Sequence, residues 1–149
     1  MLTRRQQDQH RDGLVADLVA AREHGMRIRP AVGGFPYLAE AFRRAGVERL
    51  DFVVPSATTV YTTDRGEVVE QGEVLVSGTS AIAPFDERAL VAALRADQEG
   101  RATFPDFVAA SWRAGVLSWT VDLVARTCTY RSARGDRTYV ESYPAVDIA

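Results

Sequence analysis

Apolar residues in the first quarter of the chain recur at helical spacing: Leu14, Val15, Leu18 and Val19 form one stripe within Thr3 to His24, and Gly25 reads as the stop. The next segment, FPYLAEAFRRAGV, opens on Pro36, which suits a first helical turn because its missing N–H would have no partner there. It closes on Gly46 at the left-handed position after a helix, with Val47 as the apolar residue that follows. Phe35, Leu38, Ala39 and Phe42 fall on one side of this second helix. The period then changes from 3.6 to 2. Leu50, Phe52 and Val54 alternate with Arg49 and Asp51, as a strand with one buried face requires. TTVYTT at 58–63 predicts a second strand, Thr63-Asp64-Arg65-Gly66 a hairpin loop, and Glu67–Glu70 a third strand, with Glu73–Ser77 as one more.

The same succession of signals then begins again. Asp86 is placed as an N-cap, Phe85 and Leu90 as a hydrophobic staple, and Leu90, Ala93 and Leu94 share a face of a helix that Glu99-Gly100 ends after Gln98. FPDFVAASWRAGV follows with Pro105 and Gly115 in the starting and stopping roles, and with Phe104, Phe107, Val108 and Ser111 along its inner side. Trp119, Val121 and Leu123 alternate with Ser118, Thr120 and Asp122. TCTYRS at 127–132, a Ser132-Ala133-Arg134-Gly135 loop and Arg137–Ser142 complete the set. An offset of 69 holds without a gap from Phe35/Phe104 to Gly66/Gly135, and LVAA at 18–21 matches LVAA at 90–93 once a three-residue difference in the linker is allowed. The expectation is one α+β domain, 1–149, made of two tandem α-α-β-β-β repeats at about 1–77 and 80–149, with helices packed on an antiparallel sheet.

Composition narrows the class of function. At 149 residues, 46% hydrophobic and 26% charged, the chain can bury a core without staples, and no run approaches the roughly 20 apolar residues that span a bilayer. MLTRRQQDQHRDG has no apolar stretch after its basic residues, so the expected location is cytoplasmic, with no membrane partner. The net charge of −2 and the dispersed arginines argue against nucleic acid. All eighteen basic residues are Arg, with no Lys and no Asn, a bias that reads as coding preference. Cys128 is the only cysteine, which rules out an intrachain disulfide and a multi-cysteine metal site.

Phe-Pro, Arg-Ala-Gly-Val, Thr-Cys-Thr-Tyr and Glu-Ser-Tyr-Pro-Ala-Val occur in that order in the second half. This set resembles the YdfO-like (YbcV-like) bacterial family, small phage- and prophage-associated proteins of unknown function. The resemblance covers about residues 35–147. It implies an α+β fold and brings no activity, cofactor or catalytic residue with it. Members often show Tyr-x-Val-Asp in the first strand. Trp119-Thr120-Val121-Asp122 stands there in the second half, and Leu50-Asp51-Phe52-Val53 departs from the pattern.

Candidate chemistry is sparse. HExxH, GxSxG, the P-loop and dinucleotide-type glycine patterns are all missing. His10 and His24 lie fourteen residues apart on one helix, about 21 Å along its axis, and cannot share an ion; they read as surface residues. Cys128, without a histidine in its half, reads as a small buried hydrophobe rather than a nucleophile. Asp51 and Asp122 lie on polar strand faces but two residues out of register, since Asp122 aligns with Val53. Tyr61 and Tyr130 are in register, either buried with satisfied hydroxyls or lining a cleft. Trp112 replaces Arg43 while Ser111 replaces Phe42. The large apolar group has moved outward, to pack against the N-terminal helix or the other half, or to form an exposed patch. Trp119 reads more simply as core.

The leading expectation is a non-enzymatic binding or protein-interaction module. Trp112, Trp119, Tyr61, Tyr130 and Asp122 would form the binding surface for a protein partner or small ligand, at a cleft or joined sheet between the halves. A homodimer is one such partnership. No catalytic residue, cofactor or metal is assigned. The alternative is a small enzyme that sets the Asp122 carboxylate and Tyr130 on a polar substrate in an inter-half cleft. A phage-type regulatory factor acting by protein contact follows from the resemblance by analogy alone.

Overall fold

The computed structural model describes all 149 residues. Its elements are α1 (Arg4–Ile28), α2 (Phe35–Arg44), β1 (Val47–Val53), β2 (Thr58–Thr63), β3 (Gly66–Gln71), α3 (Glu87–Gln98), α4 (Phe104–Arg113), β4 (Val116–Asp122), β5 (Thr127–Ser132) and β6 (Thr138–Ser142). The order is α-α-β-β-β twice over, an α+β fold with one antiparallel sheet, as the repeat predicts. No helix is long and apolar enough to cross a membrane.

Local signals account for most of the boundaries. Thr3 and Gln6 close a capping box at α1, Thr103 and Asp106 close another at α4, and the Asp86 carboxylate accepts from the Ala89 amide at 3.0 Å to start α3. Gly46 and Gly115 both hold positive φ where their helices end.

Two expectations need correction. Gly25 does not stop α1, which continues to Ile28. It lies instead where α1 crosses α2: a Cβ there would sit 2.7 Å from Leu38 Cδ1 and 3.0 Å from Leu38 Cα, so glycine permits close approach of the two helices. Glu73–Ser77 forms no strand. Gly72 donates to the Ala57 carbonyl, and Leu75 and Val76 both donate to the Pro55 carbonyl, so the segment turns along the end of the sheet rather than pairing with it.

The sheet order is β3-β2-β1-β4-β5-β6. The halves therefore meet edge to edge, β1 against β4, in one continuous sheet. At the seam Asp51 pairs with Thr120, and these two positions are themselves 69 apart. A local twofold passes between them. Its consequences recur on each side: β-bulges fall at Glu48 and Leu117, Val54 N donates to Leu117 O, and Leu123 N donates to Glu48 O. Ala57 and Arg126, also 69 apart, both hold the left-handed conformation in the β1–β2 and β4–β5 turns.

All four helices contribute to one core on one face of this sheet. Leu18, Ala39, Phe42, Leu90, Leu94, Phe107 and Val108 meet Phe52, Tyr61, Trp119, Val121, Cys128 and Tyr130 from the strands. The opposite face carries no helix.

Candidate functional site

Beneath the helices, the region between the two halves is filled by aromatic rings. Trp119 on β4 stacks on Phe52 of β1 with centroids 4.4 Å apart, and Phe107 and Tyr130 lie 5.4 and 5.7 Å from it. Phe104 closes the group edge-on to Phe52 at 5.8 Å. Tyr61 lies to one side, 5.5 Å from Phe42. Trp119, Tyr61 and Tyr130 are all buried in the core. Trp112 is half-buried against the same cluster; it lies on the i, i+4 stripe of Phe104 and Val108, the side of α4 that reaches β1.

Burial also sets the acid–base character of these groups. It pushes the Tyr61 hydroxyl up to about 12, reinforced by the Glu70 charge, and lifts Tyr130 well beyond the ordinary phenol range. The Cys128 thiol is pushed up to about 12 by burial as well. None of the three is an anion at neutral pH. Asp122 alternates with buried Val121 and so belongs to the uncovered sheet face, whereas Tyr130 points into the core. The Asp122 Oδ1 accepts from the Val124 and Ala125 amides at 3.0 and 2.9 Å and ends the strand. The two do not converge on one cleft.

The uncovered face is built from the alternate positions of six strands. Strand register lines its side chains into three rows. The middle row runs Val69, Val60, Asp51, Thr120, Thr129, Val140. Glu67, Thr62, Arg49, Asp122, Thr127 and Ser142 lie on one side of it, and Gln71, Thr58, Val53, Ser118, Arg131 and Thr138 on the other. At the centre Thr120 donates to Asp51 Oδ1 at 2.7 Å, Arg131 donates to Thr120 Oγ1 at 2.8 Å, and Arg49 donates to Asp51 Oδ2 at 2.8 Å. Asp51 is thus satisfied on both oxygens at the local twofold. Toward the edges the valines stand free, Val69 at 67% and Val140 at 55% exposure.

Two ionic clusters escaped the sequence reading. Glu40 is buried on α2, with Arg43 donating to both its oxygens at 2.7 Å and Arg44 donating at 3.1 Å. The Arg43 hydrogen bonds hold its carboxyl down at about 2, against the opposing effect of burial. Arg44 also donates to the Ile148 carbonyl and reaches Asp147, which ties the C-terminal tail to α2. The signal was present as Glu at i with Arg at i+3 and i+4. On the second half Glu141 of β6 accepts from Arg95 and Gln98 of α3 at 2.7 and 2.6 Å and from the Tyr139 hydroxyl at 2.7 Å. Arg22 and Glu70 make the corresponding link from α1 to β3. Each outer strand is therefore fastened to the first helix of its half.

Fold and surface together define a two-layer α+β protein in which two like halves share one sheet. The chain belongs to a protein family of unknown function, DUF1398, whose model matches residues 29–142. It is 49% identical over 133 residues to Uncharacterized protein Rv2012 of Mycobacterium tuberculosis strain H37Rv, and equally to Uncharacterized protein Mb2035 of Mycobacterium bovis. In each case the match covers 89% of this chain and 80% of the relative.

Proposed function

We propose that the chain is a non-enzymatic binding module of the cytoplasm, that its recognition surface is the uncovered face of the joined sheet, and that its partner is a second copy of itself. The observation that carries this reading is the continuity of that face across both halves, three rows deep and six strands wide. Both signs of charge occur in it, Arg49 and Arg131 with Asp51, Asp122 and Glu67. One such face can therefore oppose another with unlike charges matched. Val53, Val69 and Val140 add exposed apolar area among the threonines, serines and charged side chains of this surface. Six strands spaced ~4.8 Å apart and about six residues long give roughly 600 Å², somewhat less than the ~800 Å² per partner of a standard interface. The dimer is accordingly weak and concentration-dependent. Asp122 belongs to this surface, Trp119, Tyr61 and Tyr130 back it from beneath, and Trp112 packs against the core on the helical side. The agreement of residues, bulges and turns at an offset of 69 supports descent of the halves from one copied unit. The YdfO-like resemblance adds a phage-associated setting.

Light scattering on eluted protein, from roughly 10 to 500 μM, tests the proposal. The native chain should move toward dimer mass with concentration. A Val69→Glu, Thr129→Glu variant, altered only at exposed and half-exposed positions, should stay monomeric with an unchanged circular dichroism spectrum. A native chain that remains monomeric throughout overturns the proposal.

A further inference from the structure

Eight arginines make the ion pairs of this protein, and Arg88, Arg113 and Arg137 are not among them. These three line one open cleft of about 600 Å³ on the second half. Arg88 comes from the first turn of α3, Arg113 from the last turn of α4, and Arg137 from the residue before β6.

The cleft is held by backbone. Gly115 sits so close to the linker that a Cβ would meet the Pro84 carbonyl oxygen at 2.5 Å, and Asp86 N donates to Ala114 O at 2.8 Å. The linker is thereby clamped to the end of α4, and the Phe85 ring carries the Arg137 guanidinium 5.4 Å from its centroid. Two acids also line the space. The Asp86 carboxylate is engaged as the N-cap of α3, and Glu87 has no ion-pair partner. Three guanidiniums against two carboxylates leave a net positive cleft.

Comparison of the halves explains why Arg113 is free. Its equivalent 69 residues earlier, Arg44, is neutralised by Glu40 and capped by the Ile148 carbonyl and Asp147 of the tail. The position equivalent to Glu40 is Ala109. The second half thus keeps the guanidinium and lacks its carboxylate. Beside it, the amides of Glu87 and Arg88 open the twelve-residue α3 without backbone acceptors of their own.

We propose that this cleft binds the phosphate group of a small organic anion. Planar guanidiniums take phosphate oxygens in pairs, and first-turn amides favour the same charge. A volume of about 600 Å³ leaves room for an organic body beyond the phosphate. The site lies on the helical side and is independent of the sheet face proposed above for self-association.

The test is a backbone amide NMR titration of the full chain with inorganic pyrophosphate at constant ionic strength, with citrate as a second probe. Pyrophosphate should produce saturable shifts at residues 83–88 and at Gly115. Arg113→Gln and Arg137→Gln should each weaken binding roughly tenfold, and Glu87→Gln should tighten it. All three arginines are exposed, so well-dispersed spectra of the variants will report an intact fold. Shifts that never saturate, or that survive in the triple Arg88→Gln, Arg113→Gln, Arg137→Gln chain, overturn the site. Citrate binding as tight as pyrophosphate overturns the assignment to phosphate.

Discussion

Ser111 and Glu40 are both buried polar residues, and their surroundings give them opposite energetic roles. The Ser111 hydroxyl is fully enclosed and has no hydrogen-bond partner, at the position where the first half has the core residue Phe42. Burying an unpaired hydroxyl costs about 1–3 kcal/mol, so Ser111→Ala should raise stability by about 0.5–2 kcal/mol, read as a higher melting temperature. Glu40, by contrast, has both oxygens engaged by Arg43 and Arg44. Its carboxyl is held at about 2, below the unfolded value near 4.5, so its contribution is fully present above pH 4.5 and is lost as pH falls toward 2. Glu40→Gln should cost about 1–3 kcal/mol at neutral pH, and the gap to the native chain should close through that acid window in urea denaturation. The sequence did not single out Glu40, because its place in the helix lies off the apolar stripe. Arg44 beside it is held by a tail more than a hundred residues away, which local pattern cannot reveal.

Boundaries that depend on a cap or a glycine in the left-handed region were legible at the scale of the element, as at Asp86, Gly46 and Gly115. Gly25 was misread for a physical reason. A glycine near a helix end signals either a stop or a close crossing, and only the partner helix distinguishes them. Since Leu38 occupies the space a side chain would need, Gly25→Val should prise α1 from α2 and cost about 1–3 kcal/mol, measured as a lower denaturation midpoint at constant slope. Glu73–Ser77 has strand-like composition, but its Leu75 and Val76 amides go to Pro55 at the end of the sheet. Propensity gave no information about that partner.

For the whole molecule, the repeat fixed the element order and the packing of helices on an antiparallel sheet, because caps, turns and two-residue alternation are local and recur at an offset of 69. The joining of the halves was not legible. That β1 meets β4, with Asp51 opposite Thr120, depends on long-range pairing. Asp122 and Tyr130, by contrast, fall on opposite faces through the local alternation and pairing of β4 and β5. The β1–β4 pairing fills the inter-half space with Phe52, Phe104, Phe107 and Trp119 and leaves a broad polar face open to solvent. Self-association through that face is most directly tested by methyl NMR spectra of the native chain, recorded from dilute to concentrated protein. The account predicts that the Val60, Val69, Thr120 and Thr129 methyls shift with concentration while those of Leu18 and Leu90 stay fixed. Spectra that do not change, or shifts confined to the helical side, would contradict it.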